Sequence, residues 1–125
     1  MKNLIIDATK EKVFFSVITE SQSYTNEYTN SRENFDKFMD HLLSFLKRNR
    51  IKIKDLEKIF INQGPGKSSS IKISISIAKA IALAINISLY GFNSNDLEGG
   101  DYKKIIKLEK KNMLNKDLIK PIYSS

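Results

Sequence analysis

Lys58-Ile59-Phe60-Ile61-Asn62-Gln63-Gly64-Pro65-Gly66-Lys67-Ser68-Ser69-Ser70-Ile71-Lys72-Ile73-Ser74-Ile75-Ser76-Ile77-Ala78-Lys79-Ala80-Ile81-Ala82-Leu83-Ala84-Ile85 is the stretch on which the fold turns. Residues 58–62 are a short apolar run and read as a buried strand; Gln63 to Gly66 read as a loop. The continuation is ambiguous. Ile71, Ile73, Ile75 and Ile77 alternate with Lys and Ser as a strand would, but the Ala-rich run from Ala78 to Ala84 has helix propensity. A helix over 68–85, capped by Ser68 or Ser69, accommodates both halves. At about 100° per residue, Ile71, Ile75, Ala78, Ala82 and Ile85 fall on one side of it. Ile73, Ile77, Ala80, Ile81 and Ala84 fall on the other, with a narrow polar seam of Lys72, Ser76 and Lys79 that Leu83 interrupts. A helix that is apolar on two opposed sides cannot bury both on one sheet. The second side needs another helix, from residues 32–48 of this chain or from a partner.

Working outward, Ile87 to Phe92 is a strand that follows the helix closely, so strand, helix and strand form a right-handed parallel unit. Upstream, residues 3–7, 13–18 and 24–28 read as three strands joined by short polar turns, an antiparallel meander. Phe35, Phe38, Met39, Leu42, Phe45 and Leu46 then recur at helical spacing, which predicts one helix over 32–48 capped by Asn30 or Ser31. The order is βββαβαβ: an α/β domain with a mixed sheet of about five strands, a typical size, and two helices on one face. Residues 1–97 are expected to be the domain and 98–125 a Lys-rich linker and tail. Within that tail Glu98-Gly99-Gly100-Asp101 is a linker and Pro121-Ile122-Tyr123 a short terminal strand.

The chain has 125 residues, room for one core. With 41% hydrophobic and 28% charged residues it is globular rather than disordered. It has no Cys, which excludes a disulfide framework and a thiol nucleophile. Asp7 interrupts the apolar start before a signal peptide could form, and no uninterrupted apolar run is of membrane-spanning length, so a cytoplasmic protein without a membrane partner is expected. The net charge of +7 favours an acidic partner or nucleic acid, or marks only a Lys-rich surface.

Gly66-Lys67-Ser68 sits between a strand and a helix, the setting of a phosphate-binding loop. The full pattern needs a Gly where Ile61 lies inside the strand, so the loop is too short to wrap a phosphate with backbone N–H groups. Asp7 ends the first strand, a place where a carboxylate often serves a metal, but one carboxylate is no site. His41 is the only His, and no catalytic set or metal cluster can be assembled around it. No catalytic residue, metal or cofactor is therefore expected.

Asp55 to Gly66, followed by Ile71-Lys72-Ile73 and Ala78-Lys79-Ala80-Ile81-Ala82, resembles the bacterial TsaB (YeaZ) family, as do Leu4-Ile5-Ile6-Asp7-Ala8-Thr9 and Leu89 to Ser94. The resemblance spans residues 3–97 and implies an RNase H-like fold of the actin and Hsp70 type. It further implies a non-catalytic scaffold or dimerisation subunit in the synthesis of threonylcarbamoyladenosine on tRNA. Such a subunit pairs through a helical bundle with a TsaD-like catalytic paralogue or with a second copy of itself. A TsaE-like ATPase joins indirectly, and tRNA is met only through the complex. Carried onto this chain, the helical interface is Phe38, His41, Phe45, Ile73, Ile77, Ala80, Ile81 and Ala84, and the motif loop is Gly64, Pro65, Gly66, Lys67 and Ser68. The chain departs from the family at Lys67-Ser68-Ser69-Ser70 and at Lys72. Where members continue into a second subdomain it has only the Lys-rich tail, which implies an internal deletion. Two rival readings are a degenerate phosphate-binding or glycoprotease-like enzyme using Asp7 and the Gly64–Ser68 loop, and a tRNA-binding module led by the lysines of 102–120.

Overall fold

The structure, a computed structural model, describes residues 2–97 and 101–122. Three strands open it, β1 (Asn3–Asp7), β2 (Lys12–Ile18) and β3 (Ser23–Thr29), then helices α1 (Arg32–Phe35) and α2 (Phe38–Arg48). Strand β4 (Lys58–Asn62), helix α3 (Ser68–Ile85) and strand β5 (Ser88–Phe92) form the parallel unit. Helix α4 (Lys103–Lys110) and the two-residue strand β6 (Asn115–Lys116) complete the chain. Among the described residues the sheet has six strands in the order β3-β2-β1-β4-β5-β6. β1 pairs antiparallel with β2 and parallel with β4; β4 pairs parallel with β5. The mixed α/β sheet and the βββαβαβ order are as the sequence predicts; β6 is an added antiparallel edge.

The central strands are buried on both faces, which is why β1 and β4 read as continuous apolar runs rather than alternating ones. Leu4, Ile6, Ile59, Ile61, Phe15 and Leu89 point to the face covered by α2 and α3. Ile5, Phe60 and Phe92 point to the other face, against Ile105 of α4 and Leu97. The segment expected to be a tail thus packs into the domain, with Ile105 and Ile119 buried. The sequence disguises this because Lys residues surround the few apolar positions of α4. Glu98, Gly99 and Gly100 of the expected linker, and Tyr123 of the expected terminal strand, lie outside the described residues; Pro121 and Ile122 are not in a strand.

Two local expectations are corrected. The helix predicted over 32–48 is broken at Asp36–Lys37 by a tighter turn, in which Lys37 N–H donates to the Asn34 carbonyl (3.1 Å). Ser31 occupies the N-cap without a side-chain bond, because Asn30 is committed elsewhere: its Nδ2 donates to the carbonyls of Ala8 (3.0 Å) and Lys10 (2.7 Å). Lys67, not Ser68 or Ser69, precedes α3, and the hydroxyl of Ser70 donates to the Ala8 carbonyl (2.8 Å). The helix ends at Asn86 in the left-handed conformation, a common terminator that Asn tolerates. By length and composition alone α3 is long and apolar enough to cross a membrane. In this fold Ile71, Ile75, Ala78 and Ile81 are buried among the core residues, which is the position of a core helix.

Candidate functional site

The parallel strands β1, β4 and β5 all end on one edge of the sheet, the side on which open α/β sheets bind ligands. There the sequence sets Asp7, Thr9, Asn62 and Ser94 within one polar junction. Asp7 is fully buried. Its Oδ1 accepts from the Thr9 backbone N–H (3.1 Å) and hydroxyl (2.7 Å), and its Oδ2 accepts from the Tyr102 hydroxyl (3.1 Å). Asn62 donates from Nδ2 to Thr9 Oγ1 (3.4 Å) and to Ser94 Oγ (3.5 Å), while its Oδ1 accepts from Gly64 N–H (2.9 Å). Burial, and then the adjacent Asp7 carboxylate, push the Tyr102 phenol up beyond the usual tyrosine range, so the phenol is a donor here.

The Gly64-Pro65-Gly66 loop is folded onto this junction. Gly64 has φ +113°, and a Cβ there would run into the Ile122 carbonyl; a Cβ on Gly66 would overlap the Thr9 backbone. Lys67 donates from its backbone N–H to the Thr9 carbonyl (3.2 Å). Its Nζ turns back to Glu11 Oε2 (3.3 Å) and the Asn30 carbonyl (3.3 Å). Asp7 and the loop are thus neighbours, as the enzyme rival requires, but the carboxylate is satisfied from within and the lysine is engaged with the β1–β2 turn. Among the described residues no three metal-ligating side chains converge. Chemically the junction is a latch. It ties three strand ends, the loop and the C-terminal segment together.

The second candidate is the helical face. Of the eight residues assigned to it from sequence, three are core: Phe38, Phe45 and Ile81 are buried, with Phe15 edge-on to Phe38 (ring centroids 5.3 Å). His41 is half-buried and stacks on Tyr28 (4.1 Å). Ile73 and Ile77 are half-buried, and Ala80 and Ala84 are exposed. The buried arc of α3 includes Ser74 and Ile81, so the helix is rolled slightly from the orientation the apolar count alone suggests. Ser74 is tolerated inside because its hydroxyl donates to the Ile71 carbonyl (2.9 Å). Leu83, read only as an interruption of the polar seam, is 85% exposed. A purely apolar groove of about 260 Å³ lies between Met39 and Ile53 on one side and Ala80, Ala84 and Ile85 on the other.

Thr9, Asn62, Ser94 and Tyr102 were not legible as a group. Each is an ordinary polar residue, and only the parallel strand order brings them together. The one signal is positional: Asn62 directly follows the apolar run Ile59-Phe60-Ile61, and Ser94 lies two residues beyond the end of another at Phe92.

The profile of the family described as "TsaD: tRNA N6-adenosine threonylcarbamoyltransferase" matches residues 13–98. No curated protein matches the chain. YeaZ from Pseudomonas aeruginosa superposes with a TM-score of 0.72 at 13% identity, covering 89% of this chain and 50% of that one. A protein from the same organism, described as uncharacterized with similarity to peptidase YEAZ, gives 0.68 at 15% identity, covering 74% and 43%. RuvC of T. thermophilus, in complex with a Holliday junction substrate, gives 0.55 at 12% identity, covering 79% and 68%. The chain therefore spans about half the length of the YeaZ structures, and these likenesses establish an RNase H-like fold. With its parallel unit and loop inside the matched region, the chain belongs to the family described as "TsaD: tRNA N6-adenosine threonylcarbamoyltransferase" and is YeaZ-like in fold.

Proposed function

We propose that this chain is a non-catalytic, cytoplasmic scaffold subunit that supports threonylcarbamoyladenosine modification of tRNA by pairing, through α2 and α3, with a TsaD-like catalytic paralogue. The observation that carries the reading is the outer side of α3. Ala80, Leu83 and Ala84 remain exposed beside the half-buried Ile73, Ile77 and Ile85, although α2 already covers the sheet. Small residues permit close approach of a second helix, and the groove beside them is apolar throughout. The same face serves a homodimer. A TsaE-like ATPase acts through the paralogue, and tRNA is met in the assembled complex.

The reading as an enzyme is less favoured, because the one strand-end carboxylate is closed off by Thr9 and Tyr102. The decisive experiment is co-purification with the TsaD-like paralogue, together with complementation of a strain lacking its TsaB-like subunit. Success in both with Asp7→Asn as well as with the unaltered chain supports a scaffold. Failure of both for the unaltered chain removes the proposal. Calorimetry with ATP and Mg²⁺ separates the enzyme reading, for which heat of binding is required.

A further inference from the structure

Helix α2 ends in a Schellman turn. Arg50 takes the left-handed conformation (φ 57°), its N–H donates to the Lys47 carbonyl (3.0 Å), and Ile51 N–H donates to the Leu46 carbonyl (2.9 Å). This turn folds residues 50–53 back alongside the helix and leaves a second groove of about 360 Å³. Its floor is apolar, formed by Leu43, Ile51 and Ile53, with Leu43 43% exposed. Its rim is cationic: Lys47, Arg50 and Lys52 all line it and all are exposed. Among the described residues none of the three makes an ion pair. Lys47, Arg48, Arg50, Lys52 and Lys54 place five cations within residues 47–54 and no acid among them.

A helix C-terminus attracts cations, which accounts for Lys47 and Arg48. It does not account for Lys52, which lies beyond the helix on extended backbone (φ −90°, ψ 141°). Nor does it account for apolar side chains left open between the charges. Nucleic acid would be expected to meet aromatic rings on which bases stack, and none lines this groove. An apolar floor within a cationic rim is complementary to a peptide carrying apolar side chains among carboxylates. We propose that this groove binds an acidic, apolar-anchored peptide segment of a partner protein. Leu43, Lys47 and Lys52 lie outside the groove between α2 and α3, so the site goes beyond the helical pairing and is testable apart from it.

The probe is a short fluorescein-labelled peptide alternating Glu-Glu with Leu-Leu, titrated by anisotropy against the full chain. The unaltered chain binds it. The Lys47→Glu/Lys52→Glu variant raises Kd about tenfold or more, Leu43→Ser also raises it, and Lys103→Glu/Lys107→Glu on the opposite face of the sheet leaves it unchanged. The proposal is overturned if the unaltered chain does not bind, or if Leu43→Ser has no effect. It is equally overturned if the Lys103/Lys107 variant loses as much as the groove variant, which would mean general charge attraction. Displacement of the peptide by oligouridylate, with oligouridylate binding lost in the groove variant, would make this an RNA site and also overturn it.

Discussion

The Tyr102 hydroxyl donates to Asp7 Oδ2 at 3.1 Å across 95 residues of sequence, and through this bond the C-terminal segment closes over the end of the first strand. Phe14 of β2 packs against the same ring, with centroids 6.4 Å apart. The bond exists because Asp7 is held in place by Thr9, leaving one carboxylate oxygen facing α4.

Tyr102→Phe keeps the ring packing and deletes the donor, leaving Oδ2 of a buried carboxylate without it. A hydrogen bond to a charged group is worth about 1.5–3 kcal/mol, so stability falls by that order. Urea unfolding reads it as a lower midpoint with an unchanged slope.

Tyr28→Phe should do the opposite. The Tyr28 hydroxyl is buried and makes no hydrogen bond among the described residues, and burial raises its pKa above the usual tyrosine range. Removing an unsatisfied hydroxyl is neutral or stabilising. Both phenols also predict alkaline sensitivity. Their folded pKa values lie above the unfolded value of about 10, so their titration leaves stability unchanged below pH about 10 and lowers it as pH rises beyond. Midpoints measured from neutral to strongly alkaline pH should fall above that point, and fall less in Tyr28→Phe and Tyr102→Phe.

Gly66→Ala tests the loop. The added Cβ would overlap the Thr9 carbonyl and so part the loop from the end of β1, a backbone contact that a side-chain rotation cannot relieve. Overpacking of this kind costs about 1–3 kcal/mol. A thermal midpoint unchanged from the parent would show that the loop is not seated on Thr9.

The helical face divides into residues that hold the fold and residues that face outward. Phe45→Ala opens a cavity beside Phe15 and should cost about 3–5 kcal/mol. Ala84→Glu, on the exposed side, should change stability by no more than about 0.5 kcal/mol. On the proposed pairing it also weakens co-purification with the paralogue at least about tenfold, since a charge is buried unpaired. If Ala84→Glu leaves the pairing intact, α3 is not the interface.

That division shows what the sequence made legible. Helix 68–85 was legible because the Ala-rich run from Ala78 to Ala84 decides for a helix where the alternation of Ile71 to Ile77 alone would suit a strand; only its cap, Lys67 rather than a Ser, was not. Spacing also separated the sheet side of α3 from the outer side. Phe38, Phe45 and Ile81 are set in the outer interface by the family resemblance, and a helical wheel, which fixes relative angles but not the rotation of a helix on its sheet, does not correct that. The polar junction was not visible, since its members come from four separate segments. The basic run of 47–54 is inconspicuous in the sequence, because Ile51 and Ile53 are interleaved with its cations and only the turn after α2 sets charge and apolar floor side by side.

The tail gives the last prediction. Ile105 is fully buried on the sheet face opposite α2 and α3, in a cluster with Ile5, Ile18, Phe60, Phe92 and Leu97. Ile5, Ile18, Phe60 and Phe92 come from β1, β2, β4 and β5, Leu97 from the turn after β5, and the strand side chains would face water if α4 were absent. Lys58 of β4 is hydrogen-bonded to Glu109 of α4, and this bond raises the lysine pKa while burial opposes it. The cluster, not the ion pair, should dominate, because a partly exposed pair is worth at most about 1 kcal/mol whereas Ile→Ala in a closed core costs about 2–5 kcal/mol. Ile105→Ala should therefore lower the unfolding midpoint far more than Glu109→Gln. Equal, small effects of the two would mean that α4 lies loosely on the sheet, and that residues 1–97 carry the fold alone.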